Sequence, residues 1–132
     1  MSDLAVDASV AVKWFLPEEH SDEARALLAS EHTLIAPDLI IVETADVFWK
    51  NVRRGALTPE KAEEGLDLLF RVPIGLTPSP RLTQAALRIA IETDRSVYDC
   101  LYLALANASG CRLVTADTRI YAYDVSVLDP LA

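Results

Sequence analysis

The sequence predicts an α/β protein, a three-layer α/β/α sandwich around a central parallel sheet, and three observations predict it. Short apolar runs alternate along the chain with longer segments of helical period. Two of those runs finish beside an aspartate, Val6-Asp7 and Thr115-Ala116-Asp117, at the strand ends where open parallel sheets gather their functional groups. With 132 residues, 52% of them hydrophobic, the chain 1–132 has material for one domain with its own core and none for a second.

Leu4-Ala5-Val6 reads as the first strand, and Ala8 to Leu16 as the helix after it, stopped before Pro17. Ser21 reads as the cap of a helix through Ala24, Leu27 and Leu28, and Thr33-Leu34-Ile35-Ala36 as the second strand. Pro37 suits a helix's first turn and Asp38 complements the positive end of its dipole. Together they predict a helix through Ile41, Ala45, Phe48 and Val52, closed by Arg53, Arg54 and Gly55. Thr58-Pro59 and Ser79-Pro80 each put a capping hydroxyl before a proline, predicting helices over 59–70 and 80–93. Val72-Pro73-Ile74 between them reads as a short edge strand, where proline is tolerated.

Ser96-Val97-Tyr98-Asp99 has the spacing of a capping box, with Asp where Glu is usual. The helix it opens carries Tyr98, Leu101, Tyr102 and Leu105 on one face and ends at Ser109-Gly110. Cys111 to Thr115 is the next strand and Asp124 to Leu128 the last. Repeats, low-complexity runs and linkers are absent from the sequence.

Composition narrows the function. Twelve Lys and Arg against 20 Asp and Glu give a net charge of −8, which argues against sequence-indifferent binding along nucleic acid. Action on RNA then needs local positive charge. Bound divalent cations supply it, with Lys50, Arg53, Arg54, Arg112 and Arg119 as a limited basic rim, although each alone reads more simply as solvated surface. No apolar run reaches the ~18 residues of a membrane span, and the N-terminus has acids where a signal peptide carries basic residues. The expected address is the cytoplasm. Cys100 and Cys111, each in an apolar patterned segment, read as reduced core thiols.

Four acids stand where chemistry is expected: Asp7, Glu43, Asp99 and Asp117. Asp7 and Asp117 follow strands directly. Glu43 interrupts the run Leu39-Ile40-Ile41-Val42, and Asp99 is set among Val97, Tyr98, Cys100 and Leu101, so both are expected to be partly buried. Each has a bland explanation as a cap, a capping-box partner or a solvent-facing helix residue. As a group they would repel one another unless they held cations, and hard oxygen donors without paired His or Cys point to Mg²⁺ or Mn²⁺ rather than zinc. Ser9 and Thr115 are near enough in sequence to support a carboxylate, or to act as a local cap and a strand-end hydroxyl. The four glycines are isolated, which removes the glycine-rich phosphate and dinucleotide loops, and there is no GxSxG elbow.

Four blocks in this order resemble the PIN-domain ribonucleases, and within them the VapC-like toxins of toxin–antitoxin pairs. They are Val6-Asp7-Ala8-Ser9, Ala36-Pro37-Asp38-Leu39 leading to Glu43, Tyr98 through Ala106, and Leu113-Val114-Thr115-Ala116-Asp117. The last two are the most specific, and the match covers nearly the whole chain. Cys100 is a departure, standing where relatives often have another small residue. The resemblance implies that Asp7, Glu43, Asp99 and Asp117 hold Mg²⁺ or Mn²⁺ with Ser9 and Thr115 in support, and that RNA is cleaved endonucleolytically. It further implies an antitoxin that blocks the site and a homodimer, with Trp14, Phe15, Phe48 and Trp49 as a candidate apolar groove or as core. Three alternatives stand beside it: a PIN nuclease of RNA processing, a non-catalytic binding module, and a flavodoxin-like phosphoacceptor domain. The last wants adjacent acids near the first strand and a lysine after a late one, whereas this chain has Asp3, Asp7 and Arg119.

Overall fold

The computed structural model describes residues 3–117 and a strand at 125–127. Five parallel strands form one sheet: β1 (Asp3–Val6), β2 (Thr33–Pro37), β3 (Ile74–Thr77), β4 (Arg112–Thr115) and β5 (Val125–Val127), in the order β3-β2-β1-β4-β5. The chain builds outward from β1 to β3, then returns to lay β4 on the other side of β1. Strand order therefore reverses between β1 and β4, and this is the boundary at which α/β sheets open a crevice.

Among the described residues six α-helices cover the sheet: α1 (Ala8–Phe15), α2 (Ser21–Leu28), α3 (Leu39–Arg53), α4 (Pro59–Arg71), α5 (Thr83–Thr93) and α6 (Val97–Ser109). One group is α1 to α4, in which α1 packs on α2 and α3, and α3 on α4. The other is α5 with α6, and α6 lies against β1, β2 and β4. Residues Cys100 to Ala106 of α6 are all buried, the condition of a helix that is apolar all round. Together with Ala5, Val6, Leu113 and Val114 of the central strands and Val10 and Ala11 of α1 they make the main core. Gly65 on α4 lets that helix close on α3: a Cβ there would stand 3.1 Å from the Phe48 ring.

The layered α/β/α architecture is the one the sequence predicts, and several local assignments move. Pro37 ends β2 instead of entering a helix, because the pairing with β3 runs on to the Asp38 N–H, which donates to Thr77 O at 2.8 Å. Asp38 does not cap α3 with its side chain; Oδ1 accepts from the Ser79 hydroxyl (2.5 Å) and the Ser79 N–H (3.0 Å). Ser79 is thus spent on that junction, and the predicted helix over 80–93 splits into a 3-10 turn at Ser79–Arg81 followed by α5. Ser21 is the first residue of α2, not its cap, and its hydroxyl bridges Leu16 O and the Glu18 N–H.

The edge strand starts at Ile74, later than predicted. Val72 is the C-cap of α4, and Pro73 has no N–H for the ladder. Thr58 and Ser96 do cap α4 and α6, accepting from the N–H groups of Lys61 and Asp99. Trp14 and Phe48 are core residues, Phe15 is half-buried, and Trp49 is exposed with the Arg53 guanidinium 4.9 Å from its ring centre. Both cysteines are free thiols. Asp124, Leu128 and Arg119 lie outside the described residues. No helix among the described residues is long and apolar enough to cross a membrane.

Candidate active site

Asp7 leaves β1 in extended conformation and becomes the N-cap of α1, its Oδ1 accepting from the Val10 N–H at 3.3 Å. A strand that ends where a helix begins aims this carboxylate at the carboxyl edge of the sheet. β4, hydrogen-bonded beside β1, ends at Thr115, so Asp117 arrives at the same edge. Glu43 reaches it from α3 and Asp99 from the first turn of α6. All four acids line one cleft of about 330 Å³, with Ser9, Tyr102 and Glu18, and with Ala8, Val12 and Val47 as an apolar wall.

Asp7 is anchored through both of its carboxylate oxygens. Its Oδ1 accepts from the Ser9 hydroxyl and its Oδ2 from the Thr115 hydroxyl, each at 2.5 Å. Those hydroxyls in turn accept backbone N–H groups, Ala116 onto Ser9 at 2.9 Å and Asp117 onto Thr115 at 3.0 Å. A backbone donor on each oxygen turns each hydroxyl proton toward Asp7. The carboxylate is fixed from both sides of the β1–β4 boundary and keeps lone pairs to spare.

Burial pushes Asp7 up to about 6; the hydrogen bonds from Ser9, Thr115 and Val10 oppose this and the charge of Asp117 adds to it. Glu43 is also raised, first by burial, then by the charges of Asp99, Asp7 and Asp46, against the pull of a hydrogen bond from Tyr102. Tyr102 itself is held far above its ordinary value by burial and by Glu43. The described residues lining the cleft include no Lys or Arg. Lys13 stands next to it, tied to Glu18 at 3.4 Å and donating to Glu19 O at 2.7 Å.

A set of oxygen donors, mutually repelling and partly desolvated, fits a hard divalent cation. The fit is one of chemistry. Among the described residues no group of three or more His, Cys, Asp or Glu side chains is preformed as a metal site. Of the basic rim expected from sequence, the four described residues do not line the cleft: Lys50, Arg53 and Arg54 sit at the far end of α3, and Arg112 opens β4 at the opposite edge of the sheet.

Residues 4–126 match the PIN domain. The chain belongs to the PIN-domain family. Ribonuclease VapC3 of Pyrobaculum aerophilum is 32% identical over 119 residues, covering 89% of this chain and 91% of the relative. Ribonuclease VapC9 of Mycobacterium tuberculosis is 32% identical over 117 residues, covering 89% and 87%. Among solved structures, that of PAE2754 from Pyrobaculum aerophilum superposes with a TM-score of 0.75 at 25% identity, covering 98% of this chain and 86% of the other. The M. tuberculosis toxin VapC20, which cleaves the sarcin-ricin loop, shares the fold at a TM-score of 0.69 and 16% identity, with 90% and 93% covered.

Sequence reasoning does not single out Tyr102 or Glu18 for the cleft of this PIN domain. Tyr102 had a usable signal, since it stands three residues after Asp99 and so on the same helical face. Glu18 lies in an irregular segment after α1, where no periodicity reports direction.

Proposed function

We propose that this PIN domain is a Mg²⁺- or Mn²⁺-dependent endoribonuclease, the toxin of a toxin–antitoxin pair, acting in the cytoplasm as one nuclease unit of residues 1–132. The observation that carries the reading is the convergence of Asp7, Glu43, Asp99 and Asp117 on one cleft at the strand-order reversal. The likeness to ribonucleases named VapC supports RNA as the substrate and an antitoxin as the partner.

In this reading the four carboxylates hold the cation. When bound, such an ion would lower the pKa of water, making hydroxide available as the nucleophile towards a phosphodiester, and would offset the charge that grows on the phosphate. The chain's own part is preorganisation. Ser9 and Thr115 hold Asp7 in one orientation, their hydroxyls set by the Ala116 and Asp117 N–H groups, so little reorganisation remains when RNA arrives. Ala8, Val12 and Val47 give the cleft a dry wall, which strengthens interactions among its charges. With no basic side chain lining it among the described residues, the cleft is complementary to a cationic side chain of an antitoxin, and the toxin assembles as a homodimer.

The test is cleavage of total cellular RNA by the purified, partner-free chain in Mn²⁺, in Mg²⁺ and in EDTA, with the cut ends mapped. Discrete cuts that require metal and vanish with Asp7→Asn are expected. Binding of RNA without cuts under any metal would replace this reading with a non-catalytic binding module.

A further inference from the structure

Glu43 and Asp99 reach the cleft from two helices that pack chiefly on other elements. α3 packs mainly on α1 and α4 and α6 on α5 and the sheet, so little backbone contact between them fixes one acid against the other. Glu43 also has the longest side chain of the four acids, with three rotatable bonds, and the charges of Asp99 and Asp7 both push against it. A carboxylate so placed swings away from its neighbours unless something holds it.

Tyr102 is built to hold it. The ring is buried, 3% exposed, in α6 between the core residues Leu101 and Leu103, and its hydroxyl donates to Glu43 Oε1. Asp99 and Tyr102, three residues apart, face the cleft together, so one rigid helix presents an acid and the hydroxyl that fixes its partner acid. We propose that Tyr102 is a positioning residue, clamping Glu43 beside Asp99 so that the pair receives a divalent cation together.

The inference rests on the carboxylate site proposed above. A buried tyrosine hydroxyl satisfied for stability alone predicts a different outcome, and Tyr102→Phe separates the two because it keeps the ring and removes only the donor. The measurement is a Mn²⁺ titration, followed by calorimetry, of the wild-type chain, Tyr102→Phe, Glu43→Gln and the double variant, with melting in EDTA alongside. Tyr102→Phe should melt close to wild type and bind Mn²⁺ about 10- to 100-fold more weakly, the range for groups that orient a metal ligand. That loss should shrink in the Glu43→Gln background, where Oε1 still accepts the Tyr102 hydroxyl but no longer belongs to a charged carboxylate. Wild-type affinity retained by Tyr102→Phe, or an equal loss in both backgrounds, overturns the inference while the carboxylate site stands. A wild-type chain that takes up no Mn²⁺ overturns the site itself and this inference with it.

Discussion

The Thr115 hydroxyl donates to Asp7 Oδ2 at 2.5 Å, and the same oxygen accepts the Asp117 N–H at 3.0 Å. One side chain at the end of β4 therefore joins the acid that follows β1 to the acid that follows β4. Thr115 is fully buried, and so the hydroxyl has no water to fall back on. Thr115→Val keeps the shape and removes the hydroxyl, leaving the Asp117 N–H without this acceptor and Asp7 without one of its donors. We expect a loss of about 1–3 kcal/mol in stability, the range for a buried group left unsatisfied. Mn²⁺ affinity should fall by about 10- to 100-fold, as it does when a ligand's supporting hydrogen bond is removed. Thermal melts and Mn²⁺ titration check the two effects separately.

Asp7 makes the metal-free protein pH-sensitive in an unusual direction. Burial first, with the hydrogen bonds of Ser9 and Thr115 opposing it, pushes its carboxyl from 3.8 to about 6. The folded state thus holds this proton more tightly than the unfolded chain, and ionising Asp7 opposes folding. Its contribution is most favourable below the unfolded value and is lost as pH rises through about 6. A shift of two units corresponds to at most about 3 kcal/mol. In EDTA, Asp7→Asn should melt higher than wild type at pH 7.5, by less than that bound because its amide nitrogen cannot accept the hydroxyls, and the advantage should vanish by pH 4. An advantage that grows toward acid pH would contradict this.

Asp38 behaves in the ordinary sense. The Ser79 hydroxyl and N–H hold its carboxyl below the usual carboxylate range and pin the start of α3 to the turn before α5. A lowered folded value stabilises above the unfolded pKa and is lost as pH falls through the folded one. Ser79→Ala should therefore lower the melting temperature at pH 7, and the gap to wild type should narrow below pH ~4.

Asp94 ends α5 in the left-handed region at φ 55° and ψ 41°, a conformation glycine adopts freely. Asp94→Gly should raise stability by about 0.5–1 kcal/mol by relieving that strain, and leave RNA cleavage unchanged because the residue does not line the cleft. Chemical denaturation and a cleavage assay on one preparation check both halves.

The sheet was legible in sequence because its central strands are short apolar runs closed by acids, so Val6-Asp7 and Thr115-Ala116-Asp117 declare both strand and edge. That the four acids line one cleft was foreshadowed in two ways: Asp7 and Asp117 follow strands, and Glu43 and Asp99 interrupt apolar runs. What failed was local, and chiefly reflects hydroxyls and backbone groups that find partners other than the helix end they precede. Ser79 and Ser21 look like helix caps, yet their hydroxyls serve Asp38 and the Leu16–Glu18 bend. Pro37 looks like the start of a helix until β3 pairs beside it. The Tyr102–Glu43 bond spans 59 positions in sequence, and no local pattern reports a contact of that kind.

The central claim is that Asp7, Glu43, Asp99 and Asp117 act as one site. The most direct test is the single-turnover cleavage rate of a mapped RNA target in saturating Mn²⁺ by the four single variants, Asp7→Asn, Glu43→Gln, Asp99→Asn and Asp117→Asn, each confirmed folded. The account predicts that every one of the four loses at least about 100-fold, the scale of removing a preorganised electrostatic group from a site. A variant among them that cleaves at the wild-type rate would contradict it.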